Sequence, residues 1–255
     1  MCSRRPFRIK ICGVRFPKDV FAVADSEADT IGLNFFPRSV RYLNPGAPAT
    51  AELVRLARRH GLNCVGVFVN ETPDRVRQIV AALDLDAAQL HGDETVQEAQ
   101  GLAASGLPVI RALKLPVIGL TAPLLERRFA ERCVSETRTA PDRSAAPDRS
   151  AAPDRSAIPA VWPLLDADAG SAHGGSGQRL DWSLIGRWSA AYPGRGWGLA
   201  GGLSPDTVGR AVAESRTKSV DVAGGVESPR GTKSAALIRR FAAAADQALR
   251  DIHGE

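Results

Sequence analysis

Residues 8–13 read Arg-Ile-Lys-Ile-Cys-Gly, a short apolar strand that ends on a cysteine and is followed at once by glycine. Cys12 therefore lies where a strand gives way to a loop. In proteins built on parallel strands, ligands bind and reactions occur at the carboxyl ends of the strands. From position alone, Cys12 is either a catalytic thiol or a small buried residue, and the rest of the chain decides between the two.

Further strand-like runs follow along the chain, and longer helical patterns lie between them. The predicted strands are 8–12, 30–35, 64–69, 87–90, 109–113, 162–166, 198–200 and 220–222. The predicted helices are 16–26, 50–60, 73–83, 95–105, 205–213 and 234–249, with Thr72 and Ser204 as N-caps. Eight strands alternating with helices predict an α/β protein, a single (β/α)8 TIM barrel, and the 255 residues match the ~250 typical of that fold.

One segment breaks this pattern. Residues 140–157 are three tandem copies of Ala-Pro-Asp-Arg-Ser-Ala. The repeated prolines prevent a regular helix, and no apolar side chain larger than alanine is present to enter a core. We expect a single domain over residues 1–255 with a flexible, low-complexity insertion between its fifth and sixth strands. The simplest interpretation is a repeat expansion tolerated in a surface loop, because closure entropy grows slowly with loop length.

The amino-acid composition argues against several classes of function. The chain has 33 Lys and Arg against 28 Asp and Glu, a formal net charge of +5, yet its basic residues are scattered and not interleaved with aromatic residues. This argues against a nucleic-acid partner and suits an anionic substrate. No apolar run approaches the ~20 residues of a membrane span. The cysteines, Cys2, Cys12, Cys64 and Cys133, lack C-x-x-C spacing, which indicates a reducing cytoplasm and no structural zinc.

Alternation along barrel strands predicts which side chains share the interior. If Cys12 faces the mouth of the barrel, Lys10 and Arg8 lie below it on the same face. On the eighth strand the same rule groups Asp221 with Ser219. Because the eighth strand closes against the first and an unpaired buried charge is costly, we expect Lys10 and Asp221 to form an ion pair inside the barrel.

Two strand ends carry candidate acid or substrate-binding groups. Asp166 closes the sixth strand before the glycine-rich loop 170–177, a position that suits a general acid but also a helix cap or loop carboxylate, and Asp168 is its rival. His91 ends the fourth strand and either touches the substrate or is a hydrogen-bonded residue of the rim.

Anion binding has candidates in three loops. Arg41, in the loop 36–43, could bind a carboxylate through both arms of its guanidinium, although a loop arginine is more often solvated. Two glycine-rich loops follow the seventh and eighth predicted strands. They contain Gly201, Gly202, Gly224 and Gly225. In (β/α)8 barrels these two loops frequently bind phosphate.

Taken in order, these motifs resemble the phosphoribosylanthranilate isomerases of tryptophan biosynthesis. The matching stretches are 10–13 (KICG), 32–35 (GLNF), 37–42 (PRSVRY), 65–70 (VGVFVN), 89–92 (QLHG), 164–166 (LLD), 174–177 (GGSG), 181–182 (DW) and 200–203 (AGGL). The resemblance runs from about residue 8 to about residue 245 and omits the repeat. The combination is specific, although no single motif is.

The resemblance implies an Amadori rearrangement of N-(5-phosphoribosyl)anthranilate to 1-(2-carboxyphenylamino)-1-deoxyribulose 5-phosphate, with no cofactor and no metal. It assigns Cys12 as general base, Asp166 as general acid and Arg41 as the ligand of the anthranilate carboxylate, with the two glycine loops on the phosphate. These roles require Asp166 to carry a proton at neutral pH. They also require the surroundings of Cys12, Lys10 among them, to lower its pKa towards the thiolate. The implied partner is a small phosphorylated substrate bound by a monomer or homodimer.

The eighth loop departs from the family, which usually has serines where this chain has Ala223 and Gly224. If backbone amides hold the phosphate, the absence of these serines has little effect on the affinity for phosphate. Other interpretations remain open at this point: another phosphosugar barrel, such as indole-glycerol-phosphate synthase or the histidine-pathway isomerase, or a barrel that binds a phosphorylated metabolite without catalysis. The synthase would require a lysine and glutamates at its strand ends, and the histidine-pathway enzyme an aspartate in place of Cys12.

Overall fold

This computed structural model describes residues 5–133, 161–167 and 179–254, with the side chains of 131–133 excepted. The strands are β1 (Ile9–Cys12), β2 (Thr30–Asn34), β3 (Asn63–Phe68), β4 (Ala87–Leu90), β5 (Val109–Leu115), β6 (Trp162–Ala167), β7 (Gly198–Leu199) and β8 (Val220–Val222). They pair in parallel in chain order, and β8 pairs with β1, so the sheet closes into a barrel. The predicted (β/α)8 TIM barrel is confirmed. The repeat 140–157 lies outside the described residues.

A helix follows each strand. The helices are α1 (Pro17–Ala24), α2 (Pro48–Arg59), α3 (Pro73–Leu83), α4 (Val96–Ala104), α5 (Ala122–Cys133), α6 (Trp182–Ala191), α7 (Val208–Ser215) and α8 (Ala235–His253), with a 3-10 turn at Gly224–Val226 before α8. Thr72 caps α3 by accepting a hydrogen bond from the amide of Arg75, as predicted. Two helices, α5 and α6, go beyond the six predicted from the sequence. For α6 the signal was present, because Asp181 caps it by accepting from the amide of Leu184.

The start of α7 differs from the prediction. Residues 205–207 form a turn, and the helix begins at Val208 with Thr207 as its N-cap. The hydroxyls of Ser204 and Thr207 lie 3.0 Å apart, and the Thr207 hydroxyl accepts from the amide of Ser204. The prediction that Ser204 caps this helix is therefore wrong, because these hydrogen bonds close a separate turn ahead of it.

Two hydrophobic clusters divide the molecule. The larger lies between the strands and the surrounding helices. The smaller fills the barrel interior, and its members alternate along the strands with those of the larger cluster. It comprises Phe7, Val65, Ala87, Ile110, Trp162, Leu164 and Ala200. Because apolar side chains fill the lower interior, the polar residues that continue the same faces are directed to the carboxyl-end mouth of the barrel.

A buried polar contact joins β1 and β8. Lys10 is directly opposite Asp221, and Lys10 Nζ lies 2.9 Å from Asp221 Oδ1, so the predicted interior ion pair is confirmed. Arg8 behaves differently from the prediction. It lies one residue before β1 and binds the carboxylate of Asp246 in α8 at 2.5 Å, because beyond the strand end alternation no longer fixes the side chain.

In the described part of the chain, no helix combines the length and apolar character needed to cross a membrane.

Candidate active site

A cavity of about 600 Å³ opens at the carboxyl ends of the strands. Its lining includes every site residue predicted from the sequence: Cys12, Arg41, His91, Asp166, Gly201, Gly202, Gly224 and Gly225. Asp168 and the loop 170–177 lie outside the described residues. Within the described ranges, no group of three His, Cys, Asp or Glu side chains is arranged to hold a metal ion.

Cys12 and Lys10 are packed together against β2. A Cβ atom at Gly32 would lie 2.8 Å from Cys12 Sγ and 3.0 Å from Lys10 Nζ, so glycine is what leaves room for both groups. Lys10 is completely buried, whereas Cys12 keeps 8% of its surface exposed to the cavity. The thiol therefore lies at the cavity floor, with an ammonium group beneath it.

The pKa of Cys12 differs from the expectation. Burial raises the pKa of the thiol, the Lys10 ammonium lowers it, Asp221 raises it and Lys233 lowers it again, and the net direction is upward. Burial alone would lower the pKa of Lys10, but Asp221 and Cys12 leave it raised, so this lysine is a cation. The expectation that the surroundings lower the pKa of Cys12 is therefore wrong, because the low polarity of the site outweighs the nearby ammonium groups.

Two side chains at the end of β4 form a short hydrogen-bonded chain to Asp166, which lies in β6, two strands away. His91 Nε2 lies 3.2 Å from Asp166 Oδ2, and the amide nitrogen of Gln89 lies 3.2 Å from His91 Nδ1. An amide nitrogen only donates, so Nδ1 accepts and Nε2 carries the hydrogen directed at Asp166. His91 thus orients Asp166, in addition to lining the cavity. Asp166 is the penultimate residue of the buried strand β6 and not a helix cap.

Arg41 reaches the cavity across the glycine of the opening motif. Gly13 has φ +81°, and a Cβ there would collide with Arg41 Cδ. The guanidinium is bound on two of its nitrogens: Nε and Nη2 lie 2.6 and 2.8 Å from the two oxygens of Glu227. Glu227 in turn lies 2.9 Å from Lys233 Nζ.

Glu227, which lines the cavity, and Lys233, which contacts Glu227, were not predicted from the sequence as site residues. Glu227 ends the second glycine-rich stretch, 221–227, but no local signal pairs it with an arginine 186 residues earlier. Lys233 follows six residues later in an irregular segment. Burial lowers the pKa of Lys233, and Glu227 offsets part of that effect.

The two glycine-rich loops meet each other at the mouth. Gly201 and Gly202 have φ +81° and +64°, a backbone conformation that favours glycine. A Cβ at Gly225 would collide with the carbonyl oxygen of Leu203, so the β8 loop packs directly on the backbone of the β7 loop. A Cβ at Gly201 would lie 2.7 Å from Asp166 Oδ1. These glycines bring backbone, not side chains, to the edge of the cavity.

Comparison with known proteins gives a consistent result. The sequence profile of the N-(5'-phosphoribosyl)anthranilate (PRA) isomerase family matches residues 9–244. The chain is 35% identical to the N-(5'-phosphoribosyl)anthranilate isomerase of Neisseria meningitidis serogroup B over 250 residues, 96% of this chain and 100% of the relative.

Solved structures agree with this match. The phosphoribosyl anthranilate isomerase of Thermotoga maritima superposes with a TM-score of 0.73 at 29% identity, covering 94% of this chain and 99% of that one. A crystal structure of phosphoribosyl anthranilate isomerase in complex with reduced 1-(o-carboxyphenylamino)-1-deoxyribulose 5-phosphate superposes with a TM-score of 0.70 at 28% identity, covering 94% of this chain and 99% of that one. This chain therefore belongs to the phosphoribosylanthranilate isomerase family, the isomerases of tryptophan biosynthesis.

Proposed function

We propose that this cavity rearranges N-(5-phosphoribosyl)anthranilate with Asp166 as general acid and Cys12 as general base, while Arg41 binds the anthranilate carboxylate and the two glycine-rich loops bind the phosphate. The observation that carries the proposal is that Cys12 and Asp166 lie on separate strands, with β7 and β8 between them, yet line one cavity. An acid and a base on different walls suit a reaction that adds a proton at one atom and removes one at another.

The proton transfers follow from this arrangement. Asp166 gives its proton to the furanose ring oxygen, the bond from that oxygen to C1 breaks, and the anilino nitrogen forms a double bond to C1. The Cys12 thiolate then removes the proton from C2, which yields the enolamine. C1 next gains a proton while the C2 hydroxyl loses one, so that C2 becomes the carbonyl carbon of the ketose. His91 holds the carboxyl group of Asp166 in place, and the Lys10 ammonium favours the thiolate.

Substituting each group tests these roles. We expect Cys12→Ser and Asp166→Asn to lower kcat for N-(5-phosphoribosyl)anthranilate by about 10²–10⁴, the range for a lost general acid or base. Neither variant should then support growth of a tryptophan auxotroph that lacks the isomerase.

Matched controls lie elsewhere in the barrel. Cys64→Ser changes a second buried thiol outside the cavity, and Asp206→Asn changes a surface carboxylate that pairs with Arg240. Both should retain near-parental turnover. Full activity in Asp166→Asn would refute the general-acid role, and a folded parent protein that turned over none of this substrate would refute the proposal as a whole.

Assembly and location are also proposed. We expect a monomer or a homodimer, distinguished by light scattering of the purified protein. A cytoplasmic location stays a prediction from the cysteine pattern, and fractionation of the native host tests it.

A further inference from the structure

The segment between β8 and α8 folds back on itself and brings two charged side chains together. Glu227 and Lys233 form an isolated antiparallel bridge, and the amide of Ser228 donates to the carbonyl of Thr232 at 2.9 Å. The side chains of Glu227 and Lys233 are each only 1% exposed. Charged groups this deeply buried require partners, so their contacts indicate what they do.

The carboxylate of Glu227 accepts four hydrogen bonds. Its carboxylate accepts from Arg41 Nε at 2.6 Å, Arg41 Nη2 at 2.8 Å, the amide of Gly231 at 2.9 Å and Lys233 Nζ at 2.9 Å. Burial alone would raise its pKa, but Arg41, Lys233 and the Gly231 amide bring it to about 2. Glu227 is therefore charged, and it fixes the plane of the Arg41 guanidinium through two parallel hydrogen bonds.

An arginine paired with a glutamate attracts a carboxylate poorly, because the pair is neutral. Lys233 changes this balance, since Arg41, Glu227 and Lys233 together carry one net positive charge. Lys233 also donates to the carbonyl of Ala223 at 2.8 Å and so connects this cluster to the start of the glycine-rich β8 loop. A cluster with one excess positive charge matches a ligand group with one negative charge.

We infer that Glu227 and Lys233 are positioning residues for the substrate carboxylate. Glu227 orients the Arg41 guanidinium, and Lys233 cancels the charge of Glu227, so that Arg41 presents a fixed and uncompensated cation to the cavity. This inference rests on the proposed function, in which Arg41 binds the anthranilate carboxylate.

Equilibrium binding of two stable ligands tests it. One is reduced 1-(o-carboxyphenylamino)-1-deoxyribulose 5-phosphate, and the other is the same compound without the carboxylate. Binding is preferable to turnover here because Lys233 also acts on the pKa of Cys12. We expect Lys233→Met to weaken binding of the carboxylated ligand by about tenfold, because the cluster loses its net positive charge. We expect Glu227→Gln to weaken it by about tenfold as well, because loss of the fixed guanidinium plane outweighs the positive charge that this substitution adds. Binding of the ligand without the carboxylate should change by less than about twofold, and Lys233→Arg should restore most of the preference.

A double-mutant cycle distinguishes a loss of Arg41 positioning from a general loosening of the site. If Glu227 acts through Arg41, Glu227→Gln has no further effect on the carboxylate preference in an Arg41→Met protein. Equal weakening of both ligands by Glu227→Gln and Lys233→Met would overturn the inference and indicate a structural role. If Arg41→Met abolishes the preference while Glu227→Gln and Lys233→Met do not, the inference alone fails. If Arg41→Met leaves the preference intact, the proposed carboxylate anchor fails as well.

Discussion

The two anion-binding subsites that we propose for this protein are built in different ways. One, which we propose as the carboxylate subsite, consists of the buried side chains Arg41, Glu227 and Lys233. The other, which we propose as the phosphate subsite, consists of the glycine-rich backbone at residues 201–202 and 224–225. The first depends on the charge and direction of side chains, and the second on how closely the backbone can approach a ligand.

This difference determines what each part tolerates. In the carboxylate subsite a substitution that keeps the volume but changes the charge should be damaging. In the phosphate subsite a change of charge is not available, and the sensitive quantity is the space that a single methyl group would fill.

Gly225→Ala should be the most damaging change to the phosphate subsite. The added Cβ would collide with the carbonyl oxygen of Leu203, and because that atom is backbone, the two loops must move apart. Overpacking of this kind costs about 1–3 kcal/mol, so we expect KM and the inhibition constant of inorganic phosphate to rise by about ten- to hundredfold. Gly209→Ala in α7 is the control, since no neighbouring atom lies within 4 Å of the position its Cβ would take. Unchanged phosphate inhibition in a folded Gly225→Ala protein would contradict the backbone-built subsite.

Arg41→Lys should be the next largest change. It keeps the positive charge but removes the planar fork that binds both oxygens of Glu227. We expect KM for N-(5-phosphoribosyl)anthranilate to rise by about tenfold, with inhibition by inorganic phosphate unchanged. Arg58→Lys, on the exposed side of α2, provides the control. A parallel loss of phosphate inhibition would mean that the two subsites do not act separately.

The same contrast explains how far the sequence predicted this molecule. The barrel was predictable because apolar periodicity is local. Alternation then paired Lys10 with Asp221 inside it, and the positions of Cys12 and Asp166 at strand ends placed both at the carboxyl-end mouth. Arg8 does not follow this alternation, because it lies one residue before the start of β1 and pairs with Asp246.

The carboxylate subsite was not predictable in the same way. Arg41 and Glu227 lie 186 residues apart in two loops, and loops have no periodicity that relates one position to another. The direction of the Cys12 pKa was also wrongly predicted, since it depends on how completely the folded chain excludes water and not on adjacent residues. By contrast, the glycines of the phosphate subsite could be picked out from their residue type alone. Gly201 and Gly202 have positive φ, and Gly225 lies against the backbone of Leu203, and both situations favour glycine.

Only the carboxylate subsite should act on the general base. The raised pKa of Cys12 predicts that alkylation by iodoacetamide is slow at neutral pH and accelerates as pH rises, because the thiolate is the nucleophile. Lys233 lowers that pKa, so Lys233→Met should shift the alkylation profile to higher pH and slow the reaction severalfold at a fixed pH below the pKa. Labelling of the Cys12 peptide, followed by mass spectrometry, measures this. Gly202→Ala is the comparison variant, and an equal shift there would show that loop packing, not the Lys233 charge, sets the pKa.

Ala223→Ser should have the smallest effect, and it examines one of the two positions, Ala223 and Gly224, where the resemblance leads us to expect serine. If backbone amides supply most of the binding, an added hydroxyl improves the affinity for inorganic phosphate by less than about threefold. The carbonyl of Ala223 already accepts from Lys233, so the backbone here is held independently of the side chain. Inhibition of the isomerase by inorganic phosphate provides the measurement, and Ala213→Ser on α7 is the control. A gain of tenfold or more would mean that a hydroxyl is a principal phosphate donor, and the distinction between a side-chain-built and a backbone-built subsite would no longer hold.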